Sequence, residues 1–230
     1  MSQVPYPYPT SNSELIKLLN LIPLFEGGFF SQTVYLDTAP STDTKTKEIS
    51  WGPAVDILAD TKTQGEFLQG DRVPAATQIF YLLTSEQYRG KMHMNEHATF
   101  HTHHQGRSLY TLIQPPSSTE EKPKIHRVIV GPDIQAGELL QLYVPGHWWK
   151  ASEIPEEDLL LLDSPTAEKE GLKDKIGCLI SEVVVPGWTM GQHQFLDIEK
   201  LKALWNGQPD WEEFEKYTRA PEGVAIPDKE

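Results

Sequence analysis

The chain has 230 residues, 38% of them hydrophobic, with 33 acidic against 20 basic side chains and a formal charge of −13. That length suits one domain with a sizeable core, and the negative field excludes nucleic acid as a main partner and disfavours anionic membrane surfaces. Cys178 is the sole cysteine, which excludes an intramolecular disulfide and a multi-cysteine zinc site, and its apolar neighbours mark it as core packing. No apolar run is long enough to span a bilayer, and Met1 to Thr10 lacks the basic and apolar regions of a signal peptide. A cytoplasmic setting is therefore expected.

Residues 1–12 read as a flexible, Pro/Tyr-rich N-terminal arm. Ser13 is positioned to cap a short helix in which Leu15, Leu18, Leu19 and Ile22 form an apolar stripe, with Pro23 just beyond. Gly27 and Gly28 open a strand through Phe29, Gln32, Val34 and Leu36. Residues 38–72, polar with one apolar island near Trp51, read as a long insertion or loop. From residue 76 the texture turns to short β-rich runs at 77–84, 98–104, 109–114, 124–130, 138–144 and 176–185, separated by Gly, Pro and polar turns. Residues 115–123 and 155–175 read as surface loops. Asp197 can cap a helix through Leu201 and Leu204, and Asp210 can begin another containing Trp211, Phe214 and Tyr217. The pattern predicts an all-β sandwich or jelly roll with short N- and C-terminal helices. Its parts are the arm, a barrel domain over 13–205, and a C-terminal helix and tail over 206–230.

Five of the eight histidines fall in the segment from His93 to His104. On a helix, His93, His97 and His101 would share a face as in a zinc protease, but that layout needs a glutamate after the first histidine and Met94 stands there. On a strand, Thr99, His101 and His103 point one way while Phe100, Thr102 and His104 point the other. If the first set lines a barrel, several imidazoles converge on one cavity, where they can move protons or bind a metal. The alternative, histidines that are exposed or act as structural links, stays open at this point.

These residues and their flanks resemble the cupin superfamily, and within it a subfamily of sugar-epimerase-like (RmlC-like) cupins catalogued as a domain of unknown function in bacteria and fungi. The landmarks run in one order. They are Leu24-Phe25-Glu26-Gly27-Gly28-Phe29-Phe30, Thr77 to Thr84, His93-x-Asn95 to His104-Gln105-Gly106, Val144-Pro145-Gly146 to Ala151-Ser152, Ser181 to Trp188, and His193 to Leu196. The resemblance implies a double-stranded β-helix, paired as a homodimer, with a small organic molecule in the barrel. A metal-binding cupin offers two histidines two apart, a glutamate shortly after and a third histidine on a later strand. Here His93 fills the first place, Asn95 the second, Thr99 the glutamate's and Lys150 falls near the last. The usual iron or zinc site is thus expected to be absent, with no cofactor; if a metal is bound, His93, His101 and His103 are the expected ligands.

What remains is acid–base chemistry. His93 and His101, with His103 third, are the candidate proton-transfer groups. Asn95 and Thr99 are candidates to orient a carbonyl or hydroxyl, and Lys150, if inward, to stabilise a carboxylate or enolate. Glu26, Glu182 and His193 occupy landmark positions as pocket or interface candidates. Phe30, Tyr81 and Trp148, with Tyr110, Trp149 and Trp188, favour an apolar or aromatic ligand. Three functions follow: a metal-independent isomerase, epimerase, cyclase or decarboxylase acting on a carbonyl-bearing metabolite; a non-catalytic ligand-binding or sensor module; or a mononuclear metal enzyme such as a dioxygenase.

Overall fold

The computed structural model describes residues 9–36 and 73–228. Most of the expected arm, the whole 38–72 segment and Trp51 lie outside the described residues. Helix α1 (Asn12–Leu18) is capped by Ser11 and not by Ser13. Ser11 accepts from the Glu14 amide while the Glu14 carboxylate accepts from the Ser11 amide at 3.1 Å, a reciprocal pair that satisfies two helix-end donors. Ser13 instead donates its hydroxyl to Asp174 at 2.6 Å, tying the helix to the loop before the last long strand. The expected apolar stripe is narrower than its spacing implied: Leu15 is buried and Leu19 packs against the same cluster, while Leu18 is 69% and Ile22 40% exposed.

Among the described residues eleven strands follow: β1 (Ile22–Pro23), β2 (Phe29–Leu36), β3 (Ala76–Thr84), β4 (His93–Asn95), β5 (Ala98–Gly106), β6 (Ser108–Gln114), β7 (Lys124–Val130), β8 (Gln141–Val144), β9 (Trp149–Glu153), β10 (Gly177–Val185) and β11 (His193–Phe195). They form two antiparallel sheets, ordered β1-β2-β3-β10-β5-β8 and β11-β4-β9-β6-β7. The fold is mostly β with a few short helices, a jelly roll as the sequence predicts. Among the described residues no helix is long and apolar enough to cross a membrane.

Alternation along each strand decides what faces what. Between the sheets lie Tyr81 and Leu83 of β3, Cys178 and Ile180 of β10, Leu142 and Val144 of β8, and Tyr110 and Leu112 of β6. The outer face of the first sheet buries Leu82 and Leu179 under Leu15 and Leu21. The outer face of the second buries Ile113, Trp149 and Ala151 under Leu196, Leu201, Trp205, Phe214 and Tyr217 from the C-terminal helices. Strand β9 escapes a period-2 reading because it is covered on both faces and all five of its residues are buried. The helix Ile198–Leu204 is capped by Asp197, whose carboxylate accepts from the Lys200 amide, as the sequence predicts.

One stretch departs from its expected role. Residues 155–175 are not merely surface loop, since Ala167 and fully buried Leu172 enter the central core. They fill the barrel at the level where β10 begins. Further along β10, Glu182 and Val184 point inward and meet a cavity instead.

Candidate active site

The cavity begins with a turn. Gly27 and Gly28 both adopt positive φ (104° and 74°), and a Cβ on Gly28 would stand 2.7 Å from the Leu82 carbonyl. Only glycine fits there, so the chain reverses sharply between β1 and β2 and holds Glu26 at the tip, its carbonyl accepting from the Lys91 amide at 2.7 Å. Leu24, Phe25, Phe30, Ile79, Val184 and Trp188 then wall an apolar pocket. Glu26 and Glu182 belong both to this pocket and to a polar recess lined further by Tyr81, Lys91, His93, His101, Tyr110, Lys150 and Ser152.

The recess holds the densest chemistry. Lys150 of β9, 3% exposed, ion-pairs with Glu182 of β10 across the two sheets. Its ammonium also lies 3.3 Å from Thr99 Oγ1 and 3.4 Å from His101 Nε2. An ammonium only donates, so His101 Nε2 accepts, and Nδ1 carries the ring proton toward Tyr110 Oη at 3.2 Å and Glu182 Oε2 at 3.6 Å. Burial lowers the imidazole's affinity for a second proton, and the Lys150 charge adds to it against the pull of Glu182, leaving His101 at about 3. Burial raises Glu182, but Lys150 and His101 outweigh it and hold the carboxyl at about 2. Burial keeps both phenols, Tyr81 and Tyr110, protonated far above their ordinary range. The recess thus holds the Lys150–Glu182 ion pair, an imidazole that is neutral at pH 7 and two phenol donors.

A second group adjoins it at the turn. His93 Nε2 lies 3.5 Å from Glu26 Oε2, and His193 Nδ1 lies 3.4 Å from Glu26 Oε1. The two imidazoles stack at 4.9 Å, and Asn95 Oδ1 stands 3.0 Å from His193 Nδ1. Phe25 and Phe195 meet the His193 ring edge-on.

Of the sequence-derived candidates, Glu26, Phe30, Tyr81, His93, Asn95, Thr99, His101, Lys150, Glu182 and His193 are all placed in or directly against this cavity. His103 and Trp148 are not among its walls. The pairing of β5 with β10 shifts register, His103 facing Ile180 and Gln105 facing Leu179, so His104 is an extra residue in a bulge. His103 Nε2 turns to the Gly106 carbonyl at 2.6 Å. The trio His93, His101 and His103, expected to be the ligands of any metal, therefore does not converge. Trp148 precedes β9, and its ring stacks on His126 at 5.1 Å. The four positions that the resemblance assigns to a usual cupin metal (His93, Asn95, Thr99 and Lys150) do not fit one either, because the Lys150 ammonium stands where a cation would have to bind. Ser152 of the recess was not singled out in the sequence, and Tyr110 was so only as one of the aromatic residues favouring an apolar ligand; their inward parity on β6 and β9 places them here.

Two facing antiparallel sheets, closed at one level and open onto a polar recess at another, define a jelly-roll barrel with an interior cavity. The chain belongs to the cupin superfamily: residues 13–196 match the family described as Cupin superfamily (DUF985). It is 34% identical over 204 residues to the uncharacterized protein YML079W of Saccharomyces cerevisiae, covering 88% of this chain and 84% of that one. Among solved structures it is similar to protein SO0799 from Shewanella oneidensis (TM-score 0.58, 18% identity, covering 91% of this chain and 95% of that one). A hypothetical protein from Leishmania major gives a TM-score of 0.57 at 23% identity, covering 86% and 94%. The likeness to these two structures shows the fold.

Proposed function

We propose that this chain is an enzyme that removes and returns a proton beside the carbonyl of a small, partly apolar molecule, the step shared by isomerases and epimerases. The observation that carries the reading is the neutral His101, held between the Lys150–Glu182 ion pair and Tyr110 under an apolar pocket. The substrate's apolar body lies against Phe30, Ile79, Val184 and Trp188, with its carbonyl oxygen toward Lys150. Lys150 shifts one donor from His101 Nε2 to that oxygen, which frees Nε2 to take the α-proton. The enolate is stabilised by the ammonium, and the imidazolium by Glu182 next to Nδ1, so the step adds no net charge to the recess.

The test follows α-proton exchange in D2O by NMR, with 4-phenyl-2-butanone as the probe. Wild-type protein is expected to exchange it above the buffer rate, and His101→Gln and Lys150→Met to lose about 100-fold or more of that excess while keeping wild-type circular dichroism. No exchange of this ketone, of the matching aryl aldehyde or of an aryl 2-oxo acid overturns the assignment. Saturable binding without exchange would make the protein a ligand-binding module.

A further inference from the structure

We infer that Glu26, His93 and His193 form a binding site for one divalent transition-metal ion, a set that shares His93 with the four positions a cupin ordinarily uses and draws Glu26 and His193 from outside them. The inference goes beyond the proton-transfer reading and does not depend on it.

Three observations carry it. The first is spacing: one ligand atom from each residue lies within 4.8 Å of the others, and the two glutamate–histidine separations are 3.4 and 3.5 Å. With bonds of about 2.1 Å, the donor atoms of a four-coordinate ion stand roughly 3.4 Å apart, so these distances already match. The second is the tautomer. His93 Nδ1 lies 3.0 Å from the Lys91 carbonyl, which can only accept, so Nδ1 carries the proton and Nε2 presents its lone pair toward Glu26. A backbone carbonyl behind the imidazole is the usual way a ligating histidine is oriented. The third is the scaffold. His93 and His193 sit on paired strands β4 and β11, with Phe195 opposite His93 and Asn95 opposite His193. Their rings are buried, and Phe25 and Phe195 flank the His193 ring. Glu26 is fixed by the double-glycine turn.

Two imidazoles and one carboxylate select a borderline ion such as Co²⁺, Zn²⁺ or Fe²⁺ over Ca²⁺ or Mg²⁺. Asn95 Oδ1 can serve as a further oxygen donor. Because Glu26 and Asn95 also wall the apolar pocket, a remaining coordination position faces the ligand space.

The experiment strips the full chain with chelator, removes the chelator and titrates with Co²⁺. Expected are one ion per chain by calorimetry and visible Co²⁺ absorption bands. Glu26→Gln and His193→Gln should weaken binding about 100-fold, with fold retained by circular dichroism. His101→Gln and Lys150→Met should bind as wild type does, which separates this inference from the proton-transfer reading. The Cu²⁺ adduct of the unmodified protein provides a second measurement independent of any variant: paramagnetic resonance should show two nitrogen ligands. Absence of saturable Co²⁺ or Zn²⁺ binding in folded wild-type protein overturns the site. So does equal affinity in Glu26→Gln and His193→Gln, loss of binding in His101→Gln, or a Cu²⁺ spectrum without nitrogen coupling.

Discussion

Two buried ionic clusters lie along β10 and are built differently. At its start, Arg107 spends its planar fork on carboxylates, with both oxygens of Asp158 at 2.5 and 2.9 Å and Glu138 at 3.0 Å. Hydrogen bonding to Asp158 raises the guanidinium still further above its ordinary range. Asp158 is 1% exposed. Further along the strand, Lys150 spends a single rotating ammonium on one carboxylate, a hydroxyl and an imidazole, and it faces a cavity. A rigid fork saturated by acids has nothing to offer a ligand, whereas a movable donor beside open space does. The first cluster holds the barrel together, and the second is set up for chemistry.

Breaking each cluster should separate these roles. Arg107→Met leaves Asp158 and Glu138 buried without their cation. It should cost about 3–5 kcal/mol in chemical denaturation while per-molecule proton exchange by the folded fraction is kept. Lys150→Met should cost less stability, about 1–3 kcal/mol, because Glu182 borders a cavity and a proton can neutralise it. Adding Glu182→Gln should restore most of that loss without restoring exchange, a coupling that a double-mutant cycle reads directly.

Acid sharpens the contrast. The unfolded chain protonates His101 near 6.5, the folded one near 3, so this contribution is complete above pH 6.5 and is lost as pH falls toward 3. Glu182 acts in the same direction, its contribution present above 4.5 and lost between 4.5 and 2. Stability should therefore fall on acidification by on the order of 1 kcal/mol per pH unit for each proton. His101→Gln should flatten the part between 6.5 and 4.5. The smallest effect belongs to His103→Gln, which loses one hydrogen bond at the bulge and should cost about 1 kcal/mol or less with exchange retained.

The barrel was legible because its strands alternate or run apolar between turn residues, and 124–130 is the observed span of β7. The inward pair Thr99 and His101 followed from parity alone. His103 did not, because one extra residue in β5 breaks the parity and no composition signal marks a bulge. Trp148 shares Lys150's parity, yet it belongs to the turn before β9, where alternation has no meaning. Strand 138–144 begins only at Gln141 because Glu138 is turned to Arg107. The grouping of Glu26 with His93 and His193 was beyond reach of spacing, since only the closed fold brings the turn after β1 beside β11. Each of the three was a landmark; their meeting was not.

The position of Glu26 also has a kinetic consequence. Its turn closes onto β4 and β11, elements that the chain makes much later, so the cavity is finished only when distant segments have met. Any occupant that touches Glu26, His93 and His193 together would act as a clasp across that seam. It would lengthen the lifetime of the folded molecule out of proportion to the surface it covers, and slowed unfolding in a dilution assay would reveal such an occupant before its chemistry is known.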